Sequence, residues 1–378
     1  MNITIRKAEL LSVMQRVISI VPARSTLQIL SNLHFKVDGK TLTLRATDLD
    51  LSITASIELK GTPGPADFIV NAKKLFDIVK ELPETDLQLS TEGAHHLLVA
   101  TDADEFKLPI QSSENFPETP VFKTLAKLSL KGGLLDDMAA RVRFAVAKDT
   151  TRAVLKGILC EIEKTSIKMV ATDGHKLSLC REELQAEKAP EKKIAIILPP
   201  KAFDPLAKVL SGPDELVTVS VGQTYAEFAT ANAVITTKLI EGDYPNYEEA
   251  IPKNNAKKAQ VRRDELFSVL RRISVMSNSR TRQIRFAFTK NSLTLSTSDR
   301  EFRGEGKSSL PLKYDGEAIS IGYNADFFSE ILRLLDDQEV VITMNTALSA
   351  TVILPADEKK SDKMLFLIMP LRLLDEEA

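Results

Sequence analysis

The side chains that could perform chemistry are few, and the most suggestive of them are paired carboxylates. Asp48 and Asp50, and again Asp102 and Asp104, have the spacing that a two-metal site could use. Each pair, however, ends or flanks a predicted strand, where aspartate is a favoured turn residue. A turn-forming role is therefore the better interpretation, and a metal-dependent nuclease is the alternative.

Other catalytic signatures are missing from the sequence. It contains no GxxxxGK[ST], GxGxxG, GxSxG or HExxH pattern. His95 and His96 are adjacent, but no further ligand follows at zinc spacing, which favours a solvated hairpin turn. Cys160 and Cys180 form no CxxC pair, as is typical of a reduced, cytoplasmic protein. We expect no metal, no cofactor and no catalysis.

Asp48 belongs to a feature that occurs three times. Residues 47–48 close the alternating segment LTLRATD, residues 172–173 close IKMVATD, and residues 298–299 close LTLSTSD. Alternation of apolar and polar residues predicts a half-buried strand, so each pair lies at a strand end. A recurring strand-end pair, with no polar constellation unique to one copy, favours a repeated scaffold over an active site.

The elements around these turns recur in the same order. A strand leading into an amphipathic helix is predicted near the start of each copy, because the apolar spacing changes from two to 3.6 residues. A second strand-helix unit follows later in each copy. The apolar positions of the first unit are Ile3, Ile5, Leu10, Val13, Met14 and Val17, then Leu128, Leu130, Leu135, Met138, Ala139 and Val142, then Ala259, Val261, Leu266, Val269, Leu270 and Ile273.

The chain therefore divides into three copies of one domain. Its 378 residues, 43% hydrophobic and 27% charged, are ordinary for a globular protein, and no apolar run approaches the roughly 18 residues of a membrane span. The predicted domains are 1–122, 127–246 and 257–378, joined by the polar, proline-containing segments 112–121 and 242–258. Each has two helices and about eight antiparallel strands, an α+β fold.

Positive charge is concentrated in the predicted helices. The segments 6–16, 72–82, 131–148, 201–210, 262–282 and 325–333 carry 19 basic and ten acidic side chains, whereas the whole chain has a net charge of −2. One basic surface would attract phosphates without regard to sequence. Exposed helix faces are also commonly rich in lysine and arginine, so the charge alone leaves both interpretations open.

The three-copy pattern resembles the bacterial sliding clamp family, the beta subunit of DNA polymerase III. The most specific matches are ATDGHKL (171–177), KLIEGDYPNY (238–247) and MPLRL (369–373), and VPARSTLQILSNL (21–33) is similar to the segment after the family's first helix. The resemblance covers essentially the whole chain. It implies a head-to-tail homodimer closed into a ring around double-stranded DNA, acting as a non-enzymatic processivity factor in the cytoplasm, without a membrane.

The same resemblance implies partners and binding residues. The DNA polymerase III alpha subunit, the clamp loader and other proteins with a clamp-binding motif would place a short peptide in an apolar groove. The implied groove residues are Leu155, Thr172, Gly174, His175, Lys176, Leu177, Pro245, Ser349, Met369, Pro370, Leu371 and Arg372. For DNA, Arg24 and Lys73 match family positions, and Lys148 and Arg152 could substitute where the family places other contact residues.

Two departures from the family fall near the groove. The family usually has an arginine and a valine just past the proline, but this chain has Glu248, Glu249 and Ala250. An acidic segment, 374–378, also follows the last matching motif and could hinder or tune the groove.

The ring implied by the resemblance would close between the first and third domains. Strand DADEFKLPI (102–110) would meet DREFRGEGK (299–307) of the other subunit, with apolar contacts at the centre and opposite charges fixing the register. The residues expected there are Phe106, Leu108, Val275, Met276, Arg300 and Arg303. The alternative is that both strands are exposed edges protected by their charge.

Overall fold

The structure is a computed structural model that describes residues 1–61, 63–184, 190, 192–299 and 304–373. Contacts within the chain define two compact units. Unit 1 contains Met1–Asp137, Glu163–Thr165 and Leu184–Glu241, and unit 2 contains Met138–Ile162, Ser166–Glu183 and Gly242–Ala378.

The first third of the chain has the predicted order of a strand, a helix, several strands, a second strand-helix unit and a final group of strands. Its elements are β1 (Asn2–Arg6), α1 (Lys7–Val17), β2 (Asn32–Asp38), β3 (Thr41–Thr47), β4 (Leu51–Glu58), β5 (Ala66–Asn71), α2 (Ala72–Glu81), β6 (Asp86–Glu92), β7 (His96–Ala100) and β8 (Glu105–Gln111).

The second third repeats this order with a shortened second helix. Its elements are β9 (Ala126–Lys131), α3 (Gly132–Arg143), β10 (Ile158–Ile162), β11 (Ser166–Thr172), β12 (Lys176–Glu183), β13 (Ile194–Leu198), α4 (Leu206–Val209), β14 (Leu216–Val221), β15 (Tyr225–Ala229) and β16 (Ala233–Lys238).

The last third repeats the order again and adds one short helix that the sequence did not predict. Its elements are β17 (Lys257–Arg262), α5 (Arg263–Ser274), β18 (Gln283–Thr289), β19 (Ser292–Asp299), β20 (Gly304–Pro311), β21 (Ile319–Asn324), α6 (Ala325–Leu334), β22 (Glu339–Met344), β23 (Thr351–Pro355), α7 (Glu358–Ser361) and β24 (Met364–Ile368). The predicted α+β class and threefold recurrence are confirmed.

A twelve-stranded antiparallel sheet dominates unit 1. Its order is β1-β6-β7-β8-β5-β2-β3-β4-β16-β15-β14-β9. The first and second copies meet in it where β4 pairs with β16, with Leu51 opposite Thr237 and Ala55 opposite Ala233. We call the turn at Thr47 and Asp48 the first Thr-Asp turn. The strand after it, β4, pairs with the last strand of the second copy, β16.

Unit 2 contains the corresponding junction between the second and third copies. Within it the strands run β10-β11-β12-β24-β23-β22-β17, and a separate four-stranded sheet runs β20-β19-β18-β21. Here β12 pairs with β24, with Lys176 opposite Ile368 and Cys180 opposite Met364. The second Thr-Asp turn is the one at Thr172 and Asp173. The strand after it, β12, again pairs with the last strand of the next copy, β24.

The helices bury the faces that their spacing predicts. Helix α1 buries Leu10, Val13, Met14 and Val17, and α5 buries Leu266, Val269, Leu270 and Ile273. These positions recur every three or four residues, so each helix covers its sheets with one stripe and leaves the rest to solvent. Burial of such side chains contributes about 25 cal/mol per Å² of apolar surface.

Three of the predicted helical segments are shorter in the structure. Segment 131–148 is helical only to Arg143, because the N–H groups of Ala145 and Val146 bond three residues back rather than four. Segment 262–282 is helical only over α5, where the Ser274 hydroxyl donates to the Arg271 carbonyl instead of allowing another turn.

Segment 201–210 contains two short helices rather than one. A 3₁₀ turn covers Pro200–Ala202, and α4 starts after Pro205. Proline has no N–H to donate and its ring crowds the preceding turn, so a continuous helix through residue 205 is disfavoured.

Candidate functional site

The second Thr-Asp turn is a compact set of hydrogen bonds between β11 and β12. The Thr172 hydroxyl donates to the Lys176 carbonyl at 2.7 Å and accepts from the Gly174 N–H at 3.1 Å. Asp173 Oδ1 accepts from the N–H groups of His175 and Lys176 at 2.8 and 2.9 Å. Gly174 has φ +89°, a conformation that glycine adopts at little cost. The turn therefore projects the exposed His175 from a rigid base.

The first Thr-Asp turn has the same geometry with different residues. The Thr47 hydroxyl donates to the Leu51 carbonyl at 3.0 Å and accepts from the Leu49 N–H at 3.0 Å. Asp48 Oδ1 accepts from the N–H groups of Asp50 and Leu51 at 3.0 and 2.8 Å. Leu49, which is 50% exposed, has φ +82° where the second turn has Gly174.

Lys176 is an unusual lysine because it is only 6% exposed. Its ammonium group lies 2.6 Å from Asp173 Oδ2 and 3.9 Å from the centre of the Phe327 ring. A buried cation requires such partners, since leaving water without them costs several kcal/mol. Lys176 therefore forms part of the base of the site, and its charge is already neutralised by Asp173.

The chain after β24 completes this site from the third copy. The Met369 N–H donates to the His175 carbonyl at 2.7 Å, and the Leu371 N–H donates to the Gly322 carbonyl at 2.8 Å. A Cβ atom at Gly322 would lie 2.6 Å from the Leu371 carbonyl oxygen, so only glycine permits this approach. Met369 remains 39% exposed beside the turn.

Tyr244 is part of this candidate site, and sequence analysis included it in a motif without giving it a role. Its hydroxyl accepts the Thr172 N–H at 3.1 Å, and burial raises the pKa of this phenol to about 12. Two residues earlier, Gly242 has φ +123°, and a Cβ there would lie 2.9 Å from Val154 Cγ1. The segment from Gly242 onwards is thus fixed against the end of β11.

The remaining residues predicted to line a groove occupy the same unit. Leu155 is 7% exposed in a 3₁₀ turn, and Leu177 is 2% exposed on β12. Ser349 lies in the turn before β23, the strand that pairs with β24. The other predicted members have exposed or half-buried side chains: Pro245, Pro370, Leu371 and Arg372.

A second polar cluster fixes the segment a little further along. The Tyr247 hydroxyl donates to Glu161 Oε2 at 2.8 Å and accepts from Lys168 Nζ at 3.0 Å. Lys168 Nζ also lies 3.2 Å from Glu161 Oε2 and 3.4 Å from Glu248 Oε1. Burial and the hydrogen bond to Glu161 raise the pKa of the Tyr247 phenol. Sequence analysis missed this cluster because its members are about 80 residues apart.

The four residues predicted to contact DNA all have exposed side chains: Arg24, Lys73, Lys148 and Arg152. None of them makes a salt bridge to another described residue. Some other helical charges are paired, since Arg262 lies 2.9 Å from Glu265 and Arg263 lies 2.6 Å from Asp264. The freely presented positive charge is therefore smaller than the count from sequence.

The predicted interface residues differ in how much surface they offer. Val275, just after α5, is 79% exposed, and Phe106 on β8 is 36% exposed. Leu108 is buried within its own domain, where only 4% of its surface is exposed. Met276 is half-buried. Arg300 and Arg303 lie outside the described residues, as does the acidic segment 374–378.

Three of the four paired carboxylates, those of Asp48, Asp50 and Asp104, have protein partners. Lys201 Nζ lies 2.9 Å from Asp48 Oδ2 and 3.4 Å from Asp50 Oδ2, and Asp104 accepts from the Thr101 hydroxyl at 3.0 Å. Over the described residues, no group of three or more histidine, cysteine, aspartate or glutamate side chains could hold a metal ion. Within the same ranges, no helix is long and apolar enough to cross a membrane.

Comparison with known proteins gives matches over nearly the whole chain. Family models of the DNA polymerase III beta subunit match at its N-terminal domain (residues 1–120), central domain (129–246) and C-terminal domain (248–372). The beta sliding clamps of Pseudomonas putida and Escherichia coli K12 are 29% and 28% identical, each over 99% of this chain and 100% of the relative.

Solved structures agree with these matches. The DNA polymerase III beta subunit from Pseudomonas aeruginosa superposes with a TM-score of 0.94 at 28% identity, covering 99% of this chain and 100% of that one. The beta sliding clamp from C. crescentus superposes with a TM-score of 0.91 at 27% identity, covering 99% of both chains. The repeated domains thus define a clamp-type protein. The chain belongs to the DNA polymerase III beta subunit family, and the alternative of a metal-dependent nuclease is not supported.

Proposed function

We propose that this chain is a DNA sliding clamp, a processivity factor that encircles duplex DNA as a head-to-tail ring of two copies. It works in the cytoplasm without catalysing a reaction. Three domains, with the bounds 1–122, 127–246 and 257–378, contribute to each half of the ring. The clamp holds DNA topologically, so it needs only weak phosphate attraction and can slide.

The observation that carries this proposal is the pattern of strand pairing between copies. The strand after the Thr-Asp turn of one copy pairs with the last strand of the next: β4 with β16, and β12 with β24. The third copy's equivalent strand, β20, is the last strand of its sheet in the described chain. The first copy's last strand is β8, and one side of it pairs with β7. Its other side pairs with β5 only at Ile110 and Gln111, so the rest of that side is an unpaired edge in the described chain.

Two such edges would satisfy each other in a second copy of the chain. Unpaired backbone groups along an edge favour addition of a strand. In the other copies, the strands equivalent to β20 pair with the strands equivalent to β8. Phe106 and Val275 supply exposed apolar surface for the contact. Because one edge differs from the other, the contact is heterologous and closes into a ring by rotation.

Duplex DNA would be contacted by the exposed cations Arg24, Lys73, Lys148 and Arg152. Long lysine and arginine side chains attract the phosphate backbone without reading base sequence, and contacts of this kind weaken as salt is raised. Four exposed cations per chain suit a sliding contact better than a tight, sequence-specific one.

The site around His175 and Met369 would hold short peptides from the DNA polymerase III alpha subunit, the clamp loader and other clamp-binding proteins. Exposed Met369 and half-buried Pro370, with buried Leu155 and Leu177 in the same unit, offer an adaptable apolar surface for a partner's hydrophobic anchor. The rigid turn at Asp173 supports that surface.

The topological proposal is tested by retention on DNA. Clamp loaded onto a nicked circular plasmid should stay bound through gel filtration and should be released when the plasmid is linearised. Binding that is the same on circular and linear DNA would contradict encirclement.

Ring closure is tested by the double substitution Val275→Ala and Met276→Ala. Loss of apolar contact should give monomers at micromolar concentration, measured by sedimentation. Leu125→Ala, at another exposed apolar position, is the matched control and should leave the dimer intact. A fully dimeric double variant on dilution would place the interface elsewhere.

A further inference from the structure

The segment after Gly242 carries only negative charge. Asp243, Glu248 and Glu249 all have exposed side chains, and the sequence from Gly242 to Pro252 contains no lysine or arginine. Glu248 has 64% of its side chain exposed. Glu249 accepts a hydrogen bond from Asn246 Nδ2 at 2.8 Å, which holds it on the same turn.

This acidic segment follows the edge of the proposed groove. It begins beside Val154 at Gly242, reaches the Thr-Asp turn where Tyr244 accepts the Thr172 N–H, and is anchored at Tyr247, which is 6% exposed. Pro245, a proposed groove residue, lies between the last two contacts. The glutamates follow directly after the buried tyrosine, so their backbone has a fixed position relative to the groove.

The nearby cation does not cancel the negative charge. Lys168 is the basic residue that contacts Glu248, at 3.4 Å, but it lies closer to Glu161, at 3.2 Å. Glu161 is 7% exposed, and a carboxylate with so little access to water depends on its ion pair. Lys168 is therefore shared between two carboxylates, and the exposed pair at 248–249 keeps a net negative charge.

The field of this pair reaches a bound peptide. Glu249 lies four positions after Pro245, so the chain between them spans at most about 14 Å. The screening length is about 10 Å at 0.1 M salt and about 30 Å at 0.01 M. Charges on a peptide in the groove would therefore interact with the glutamates, most strongly at low salt.

We propose that Glu248 and Glu249 make the groove select peptides whose apolar anchor is flanked by lysine or arginine. This inference rests on the proposed peptide-binding function of the groove and adds the chemical class of its partners. Tyr247, Lys168 and Glu161 act as positioning residues, because they fix the turn that carries the two carboxylates.

The test compares three labelled peptides that share an apolar C-terminal anchor of leucine and phenylalanine. They differ only in three flanking residues, which are all lysine, all serine or all glutamate. Fluorescence polarisation with the full chain should show the lysine peptide binding about fivefold more tightly than the serine peptide at 0.02 M salt, and the glutamate peptide more weakly. The difference should shrink at 0.5 M salt.

The double variant Glu248→Gln and Glu249→Gln should abolish this discrimination and leave the affinity for the serine peptide unchanged. Glutamine keeps the oxygen that accepts from Asn246. The matched control, Glu317→Gln with Glu358→Gln, removes the same charge from two other exposed positions and should keep the discrimination.

The possible failures are distinguishable. If the serine peptide binds but all three affinities are equal in the unmodified chain, or if the control pair abolishes discrimination as well, the acidic selection is overturned. If no peptide binds at any salt concentration, the peptide-binding function itself is wrong and the inference falls with it.

Discussion

The two Thr-Asp turns use one backbone design for different purposes. Asp48 and Asp173 each accept two backbone N–H groups, and the carbonyls of Asp50 and His175 each accept an N–H from the chain at the end of the next copy, both at 2.7 Å. What differs is the cation on the second carboxylate oxygen. The first turn has Lys201, 39% exposed, and the second has Lys176, whose side chain is 7% exposed.

This difference shows where the repeat has diverged. In the first turn, Leu49 has a strained backbone and Lys201 reaches the aspartates from outside. In the second turn, glycine at position 174 avoids this strain. The cation is Lys176, which belongs to the turn itself and packs on Phe327. The hydrogen bonds maintain the fold in both places, whereas the peptide contacts that we propose belong to the second turn.

The largest expected effect on stability comes from replacing the aspartate of each turn separately. Asp173→Ala would leave the buried Lys176 charge unpaired and should lower the free energy of unfolding by about 4 kcal/mol. Asp48→Ala loses the same turn bonds but frees a solvated lysine, and should cost about 1–2 kcal/mol. Urea unfolding measures both. Asp173→Asn, which keeps the backbone acceptor, should be intermediate, and equal costs for the two alanine variants would refute the distinction.

A smaller effect is expected from the tyrosine that binds the second turn. The pKa of Tyr244 is raised to about 12 by burial, above the usual value near 10. The folded state holds this proton more tightly, so the stability that is present below pH 10 should fall by about 2 kcal/mol as pH rises from 10 to 12. Urea titrations across this range should show a shallower loss for Tyr244→Phe. The same slope in both proteins would contradict the assignment.

The smallest effect concerns the left-handed residue in each turn. Leu49→Gly should stabilise the chain by about 1 kcal/mol, because a leucine at φ +82° is strained. The reciprocal Gly174→Leu should destabilise by a similar amount and also weaken peptide binding, since its side chain would project beside His175. Thermal unfolding and the polarisation assay separate the two effects. A neutral Leu49→Gly would mean that the turn is not strained.

The comparison also explains which features could be predicted from sequence. The strand-helix units and turn positions follow from local periodicity, which survives in all three copies. The ends of the helices near Arg143 and Ser274 depend on hydrogen bonds to alternative local partners, so spacing alone overestimated the length of the helices. Pro205 was a visible break whose effect was underestimated.

The candidate site was predicted less completely than the fold. The turn residues and Met369 were assigned through family resemblance, whereas the roles of Tyr244 and Phe327 depend on contacts across 72 and 151 positions. Gly322 illustrates the limit well. Only glycine fits there because the carbonyl of Leu371 lies so close, and this contact forms only when β21 and the chain after β24 have come together.

The contact proposed between the unlike edges β8 and β20 would make each chain a bifunctional monomer in the sense of polymer chemistry. Two bifunctional units end growth by cyclising, and a unit with one blocked end acts as a chain terminator. A chain altered only at β8, mixed with one altered only at β20, should therefore give a linear pair joined at one junction. Such a pair could embrace DNA without an opening step and would leave it as easily.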